Sequence, residues 1–115
     1  METQEIPTDG RACSASVILQ QIGTSTLWAI MHSPPSALSN YDSDYDEHYD
    51  YGVTIPVSFA RSVIVILDYS DTYSVYRVRK ISKGDHAGTV VIEDQKHDIY
   101  CDQLSEIVYH LACWE

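Results

Sequence analysis

Ser62-Val63-Ile64-Val65-Ile66-Leu67, then the turn Asp68-Tyr69-Ser70-Asp71, then Thr72-Tyr73-Ser74-Val75-Tyr76-Arg77-Val78-Arg79: this stretch carries the clearest β pattern of the chain. The first run is continuous and β-branched, as suits a central strand covered on both faces. The second returns after a turn, so the two read as a β-hairpin. Upstream, Val53-Thr54-Ile55-Pro56-Val57-Ser58-Phe59 alternates with period two, and Val53, Ile55, Val57 and Phe59 face one way. Pro56 cannot donate to a ladder and predicts an edge or bulged strand. Downstream, Lys83-Gly84-Asp85 and Gly88 mark a turn before the strand Thr89-Val90-Val91-Ile92-Glu93. Thr26-Leu27-Trp28-Ala29-Ile30-Met31 reads as a fifth strand, ended by Ser33-Pro34-Pro35-Ser36.

Helices are expected at both ends. Ala15, Ile18, Leu19 and Ile22 fall at i, i+3, i+4, i+7, with Ser14 as N-cap and Gly23 just past the end. Cys101, Leu104, Ile107, Val108, Leu111 and Ala112 repeat at helical spacing, with Asp102 as N-cap and Tyr100 packing on the sheet. The order read is α-β-β-β-β-β-α. The fold class expected is α+β: a meandering, mostly antiparallel sheet of about five strands, with both helices on one face.

The chain of 115 residues fits a single domain, 1–115, with an acidic, low-complexity insertion at about 33–52. Apolar residues are 44% and charged residues 21%, a globular balance. The formal net charge is −10, which repels nucleic-acid phosphates and anionic membranes and favours basic partners, or serves solubility alone. Neither direct nucleic-acid binding nor membrane binding is expected. The beginning Met1-Glu2-Thr3-Gln4-Glu5 has no apolar leader pattern, and the longest apolar run is far shorter than a span. Cys13, Cys101 and Cys113 are odd in number and lack C-x-x-C spacing. They read as buried structural thiols in a reducing, cytoplasmic setting.

The most unusual stretch is Tyr41-Asp42-Ser43-Asp44-Tyr45-Asp46-Glu47-His48-Tyr49-Asp50-Tyr51. Three readings compete. Asp42-x-Asp44-x-Asp46 opens like a calcium loop, but Glu47 stands where that loop needs glycine and Val53 where it needs glutamate. A carboxylate array can instead compete with DNA for the Lys and Arg residues of a basic surface. On a helix, Asp42, Asp46 and Asp50 would line one face about 6 Å apart. Tyrosines add contact area at low entropic cost. The third reading is a solvated loop, against which the four tyrosines argue. The candidate partner-binding residues are therefore Tyr41, Asp42, Asp44, Tyr45, Asp46, Glu47, Tyr49, Asp50 and Tyr51; no catalytic residue, metal ligand or cofactor is assigned.

Arg77, Arg79, Lys80 and Lys83 form a small basic cluster, read as an exposed strand face or charged edge, or as a mate for the acidic stretch of the same molecule or a second copy. The histidines His32, His48, His86, His97 and His110 make no zinc-type pair, and His110 falls on the exposed side of the last helix. Cys101 and His97 are four residues apart, with nothing beyond proximity to make them a nucleophile pair. No nucleotide-loop, nucleophile-elbow or zinc-protease motif occurs. The chain reads as a binding protein rather than an enzyme.

Ile18-Leu19-Gln20-Gln21-Ile22-Gly23, Leu27-Trp28-Ala29-Ile30, Asp71-Thr72-Tyr73-Ser74-Val75 and Asp98-Ile99-Tyr100-Cys101-Asp102-Gln103-Leu104 resemble a set of small proteins of phages and mobile elements. The resemblance covers roughly residues 15–31 and 62–111 and leaves the acidic stretch out, as a specialising insertion. Its motifs are a helix cap, a hairpin and a helix start, and they carry no catalytic role. Small acidic phage proteins include inhibitors of host defence, among them anti-CRISPR proteins and DNA mimics. By that analogy the expected function is stoichiometric inhibition of a basic host protein or nucleoprotein complex in the host cytoplasm. Two alternatives stand beside it. One is a self-assembling accessory domain that pairs as a homodimer through residues 53–59; the other is a divalent-metal-dependent protein.

Overall fold

The computed structural model describes residues 7, 9–81, 84–85 and 88–113. Within them the chain forms α1 (Ala15–Ile22), α2 (Thr24–Ile30), β1 (Ser36–Asp42), β2 (Glu47–Pro56), β3 (Arg61–Leu67), β4 (Tyr73–Lys80), β5 (Val90–Ile99) and α3 (Leu104–Cys113). The strands make one antiparallel sheet in the order β1-β2-β3-β4-β5, the α+β arrangement expected. Ile18, Ile22 and Ile30 of the first two helices and Leu104, Val108 and Leu111 of α3 share a core with Val53, Ile55, Val63, Val65 and Val75. A second cluster, Tyr51, Ile64, Ile66, Tyr76 and Val78, contains no helical residue. All three helices therefore sit on one face, and β3, the stretch read as central, is apolar toward both.

The run at residues 26–31 is helix α2, not a strand. A short apolar run carries no period of its own. Its burial does: Ile30 is buried and Leu27 and Met31 are half-buried, while Trp28 and Ala29 are exposed, an i, i+3, i+4 pattern. Gly23 joins the two helices at φ +94, ψ 144, a region only glycine enters cheaply. The fifth strand comes instead from the low-complexity stretch, since β1 and the first half of β2 lie inside residues 33–52. Residues 41–51 are thus not a helix but the outer part of a β-hairpin, its turn included.

The edge reading of residues 53–59 is also corrected. β2 lies between β1 and β3; Pro56 is its last residue, where a missing donor costs the ladder little. Phe59 lies in the following turn, fully exposed. α3 begins at Leu104, so Cys101 and Asp102 precede it, and Tyr100 is 62% exposed rather than packed on the sheet. Cys101 is likewise exposed, and Cys13 and Cys113 are only partly covered. No helix among the described residues is long and apolar enough to cross a membrane.

One irregularity shapes β2. Leu38 pairs with Gly52 but Ser39 with Asp50, so Tyr51 is an extra residue, a β-bulge. Beyond it, Val53 and Ile55 point to the helical core; the bulged Tyr51 and Tyr49 before it point to the second cluster. At Gly52 the backbones approach closely: a Cβ there would stand 2.3 Å from the Val65 carbonyl oxygen.

Candidate functional site

β2 pairs with β3 only from Gly52 onward, whereas its pairing with β1 continues to Asp42↔Glu47. The outer part of the hairpin therefore extends past the end of β3. Residues 43–46 close it as a turn. Asp42 Oδ1 accepts from the Asp44 N–H at 3.0 Å, and Asp46 has φ +53, a conformation that aspartate tolerates better than most residues. The Tyr41 hydroxyl donates to Asp46, which holds that phenol above its ordinary pKa, and its ring lies 5.1 Å from that of His48. Asp44, Tyr45, Asp46 and Glu47 are all exposed, Tyr45 at 76%.

Not every candidate joins this surface. Asp50 turns toward the helices, where Oδ1 accepts from the Ser39 hydroxyl at 2.6 Å and Oδ2 from the Ala15 N–H at 3.4 Å. It braces the start of α1 against the hairpin. Tyr51 is 7% exposed within the second cluster. Tyr49 is half-buried. The hairpin groups Asp42, Tyr45, Glu47 and Tyr49 along the cleft, carries Tyr41 beside His48 on its other face, sets Asp44 and Asp46 in the turn, and leaves Asp50 and Tyr51 as supports.

Residues far away in sequence complete the neighbourhood. Residues 10–13 run past the end of β3: the Arg11 N–H donates to Leu67 O and the Cys13 N–H to Asp50 O, each at 2.8 Å. Just before them, the Asp9 carboxylate accepts from the Tyr49 hydroxyl at 2.8 Å and the Tyr69 hydroxyl at 2.9 Å. Those two bonds, led by Tyr49, hold the Asp9 carboxyl below its usual range and both phenols above theirs. A cleft of about 310 Å³ opens between this segment, the hairpin and the β3–β4 turn, lined by Gly10, Asp42, Tyr45, Glu47, Tyr49 and Tyr69. Sequence reasoning missed Asp9 and Tyr69. Their only signal was another tyrosine among acids, in Asp68-Tyr69-Ser70-Asp71.

Other clusters resolve into structure. Arg61, Arg77 and Arg79 gather round Glu93, at 2.7, 3.3 and 3.6 Å, on the interior strands β3 and β4 and on β5. The Arg61 hydrogen bond leads in holding the Glu93 carboxyl below its usual range. Arg77 and Arg79 thus lie on an interior strand rather than a charged edge, and meet Glu93 rather than the hairpin of the same molecule; Lys80 is exposed. Lys83, His86 and Met1-Glu2-Thr3-Gln4-Glu5 lie outside the described residues. Ser74, His97 and Asp68 meet, but not as a catalytic triad. The buried Ser74 hydroxyl donates to Asp68 at 2.5 Å and touches His97 Nδ1 at 2.8 Å, while His97 Nε2 faces Gln95 at 3.0 Å. A triad needs the carboxylate on the histidine and an accessible hydroxyl. His97 is engaged there and not with Cys101. Among the described residues no three His, Cys, Asp or Glu side chains converge as metal ligands would.

Comparison of the chain with known protein families, curated proteins and solved structures finds no match.

Proposed function

We propose that this protein acts by occupancy: a stoichiometric inhibitor, of the DNA-mimic or anti-CRISPR kind, that covers a basic nucleic-acid-binding surface of a host nucleoprotein in the host cytoplasm. One observation carries the reading. In a chain of net charge −10, the hairpin beyond the end of β3 presents Asp44, Asp46 and Glu47 to solvent together with Tyr41 and Tyr45. Exposed carboxylates offer a phosphate-reading surface the charges it seeks, and the tyrosines add apolar contact that phosphates lack. The resemblance to small phage and mobile-element proteins supplies the setting. The reading assigns no catalysis to the chain.

The test uses the tip alone, because deleting residues 41–51 would also remove the Asp50 braces and the buried Tyr51. Wild type and an Asp44→Lys/Asp46→Lys/Glu47→Lys variant are immobilised against host lysate, with and without competing duplex DNA. Capture of nucleic-acid-binding proteins by wild type, lost on DNA addition and in the variant, is expected. Capture that ignores both changes would move the surface elsewhere on the protein.

A second reading, self-association, shifts from residues 53–59 to the outer strand β1, whose far edge has no strand beside it among the described residues. Sedimentation equilibrium over a range of concentrations separates it from the first: a mass that rises to that of a dimer favours pairing.

A further inference from the structure

The geometry points to a subsite for one guanidinium group, an arginine side chain of the basic partner, in the cleft between the hairpin, residues 10–12 and the β3–β4 turn. This rests on the occupancy reading above and names the chemistry one part of that surface selects.

Three features converge on a cation. First, Asp42 and Glu47 stand directly opposite each other at the end of the β1–β2 ladder, on the face that lines the cleft. Like charges in that position oppose pairing unless something positive lies between them. Among the described lining residues there is no Lys, Arg or His to play that part. Second, the walls are tyrosine: Tyr45 from the turn, Tyr49 from β2 and Tyr69 from the β3–β4 turn. Aromatic faces attract cations, and planar guanidinium stacks on them better than ammonium does. Third, the walls are held. Asp9 accepts from the hydroxyls of both Tyr49 and Tyr69, fixing rings that come from distant parts of the chain. A volume of about 310 Å³ is at the small end of ligand sites and suits a side chain rather than a whole cofactor. Each of the two carboxylates also offers the pair of oxygens that the forked donors of arginine match.

The probe is a short blocked peptide with one arginine, beside the same peptide carrying neutral citrulline or lysine. Each is titrated into full-length protein and followed by amide and tyrosine-ring NMR shifts. Saturable shifts at Gly10, Tyr49 and Tyr69 with arginine, smaller ones with lysine and none with citrulline are expected. Tyr45→Ala, at an exposed turn position that leaves the core intact, is expected to weaken arginine binding by about 2- to 30-fold, the range of one cation–π contact. Glu47→Gln is expected to weaken it as well. Equal shifts from citrulline, or arginine binding untouched by both substitutions, would overturn the subsite. The outcomes separate the two readings. Nucleoprotein capture through the tip with no arginine response in the cleft removes the subsite alone, whereas an arginine response with no capture removes the inhibitor reading alone.

Discussion

The two halves of β2 are built of the same strand and do opposite things. Residues 52–56 are gripped on both sides, by β1 and β3, and send Val53 and Ile55 into the helical core. Residues 47–50 keep β1 on one side but have no β3 partner, and carry the exposed Glu47 and the half-buried Tyr49. Tyr51 stands between them as the bulged residue. One extra residue thus suffices to divide a strand into an anchor and an arm. It reverses the alternation, so that side chains which would continue the core pattern turn to the other face.

If that division is right, the halves differ most in stability. Ile55→Ala, at a fully buried position, is expected to cost about 2–5 kcal/mol. Glu47→Ala, on the same strand, is expected to fall within about 0.5 kcal/mol of wild type. Urea unfolding of both variants measures the gap, and similar losses would mean the arm is part of the cooperative core. Next comes the junction. Gly52→Ala places a Cβ against the Val65 carbonyl and is expected to cost about 1–3 kcal/mol. A variant of unchanged midpoint would show that β2 and β3 separate easily there.

The smallest effect concerns acid. The Asp9 carboxyl is held below its ordinary pKa by Tyr49 and Tyr69, so its stabilising contribution is complete above the unfolded carboxyl's pKa and fades as pH falls through the folded value. The two phenols are raised, so the same clamp is also lost at alkaline pH, as the tyrosines ionise. Asp9→Asn is expected to flatten the acid limb of hydrogen-exchange protection at residues 9–12 and to leave that of the helical core unchanged. An acid limb that is identical in the two proteins would dissociate Asp9 from the clamp.

Much of the anchor was legible in the sequence, and little of the arm. The β-branched run of β3, its return in β4, and the periods of α1 and α3 announce themselves because each buries one regular face. β1 has Leu38 as its one large apolar residue before Tyr41, so no pattern marks it; as an outer strand it is held by pairing more than by burial. α2 has seven residues, too few for periodicity to outweigh the strand preference of an apolar run. The tip's acids and tyrosines were conspicuous by composition. Their division into presented and supporting residues was not, because it depends on the bulge and on Asp9, which meets Tyr49 and Tyr69 across 40 and 60 residues of chain.

The passage of residues 10–13 past the end of β3 has a kinetic side. Every strand pairs with its neighbour in sequence, so each step in assembling the sheet closes a short loop at small entropic cost. The segment at residues 9–13 docks at longer range, Arg11 reaching Asp71 across 60 residues and Asp9 reaching Tyr49 across 40. Its docking closes a longer loop than any strand pairing does, and the cleft exists only where this segment, the hairpin and the β3–β4 turn meet.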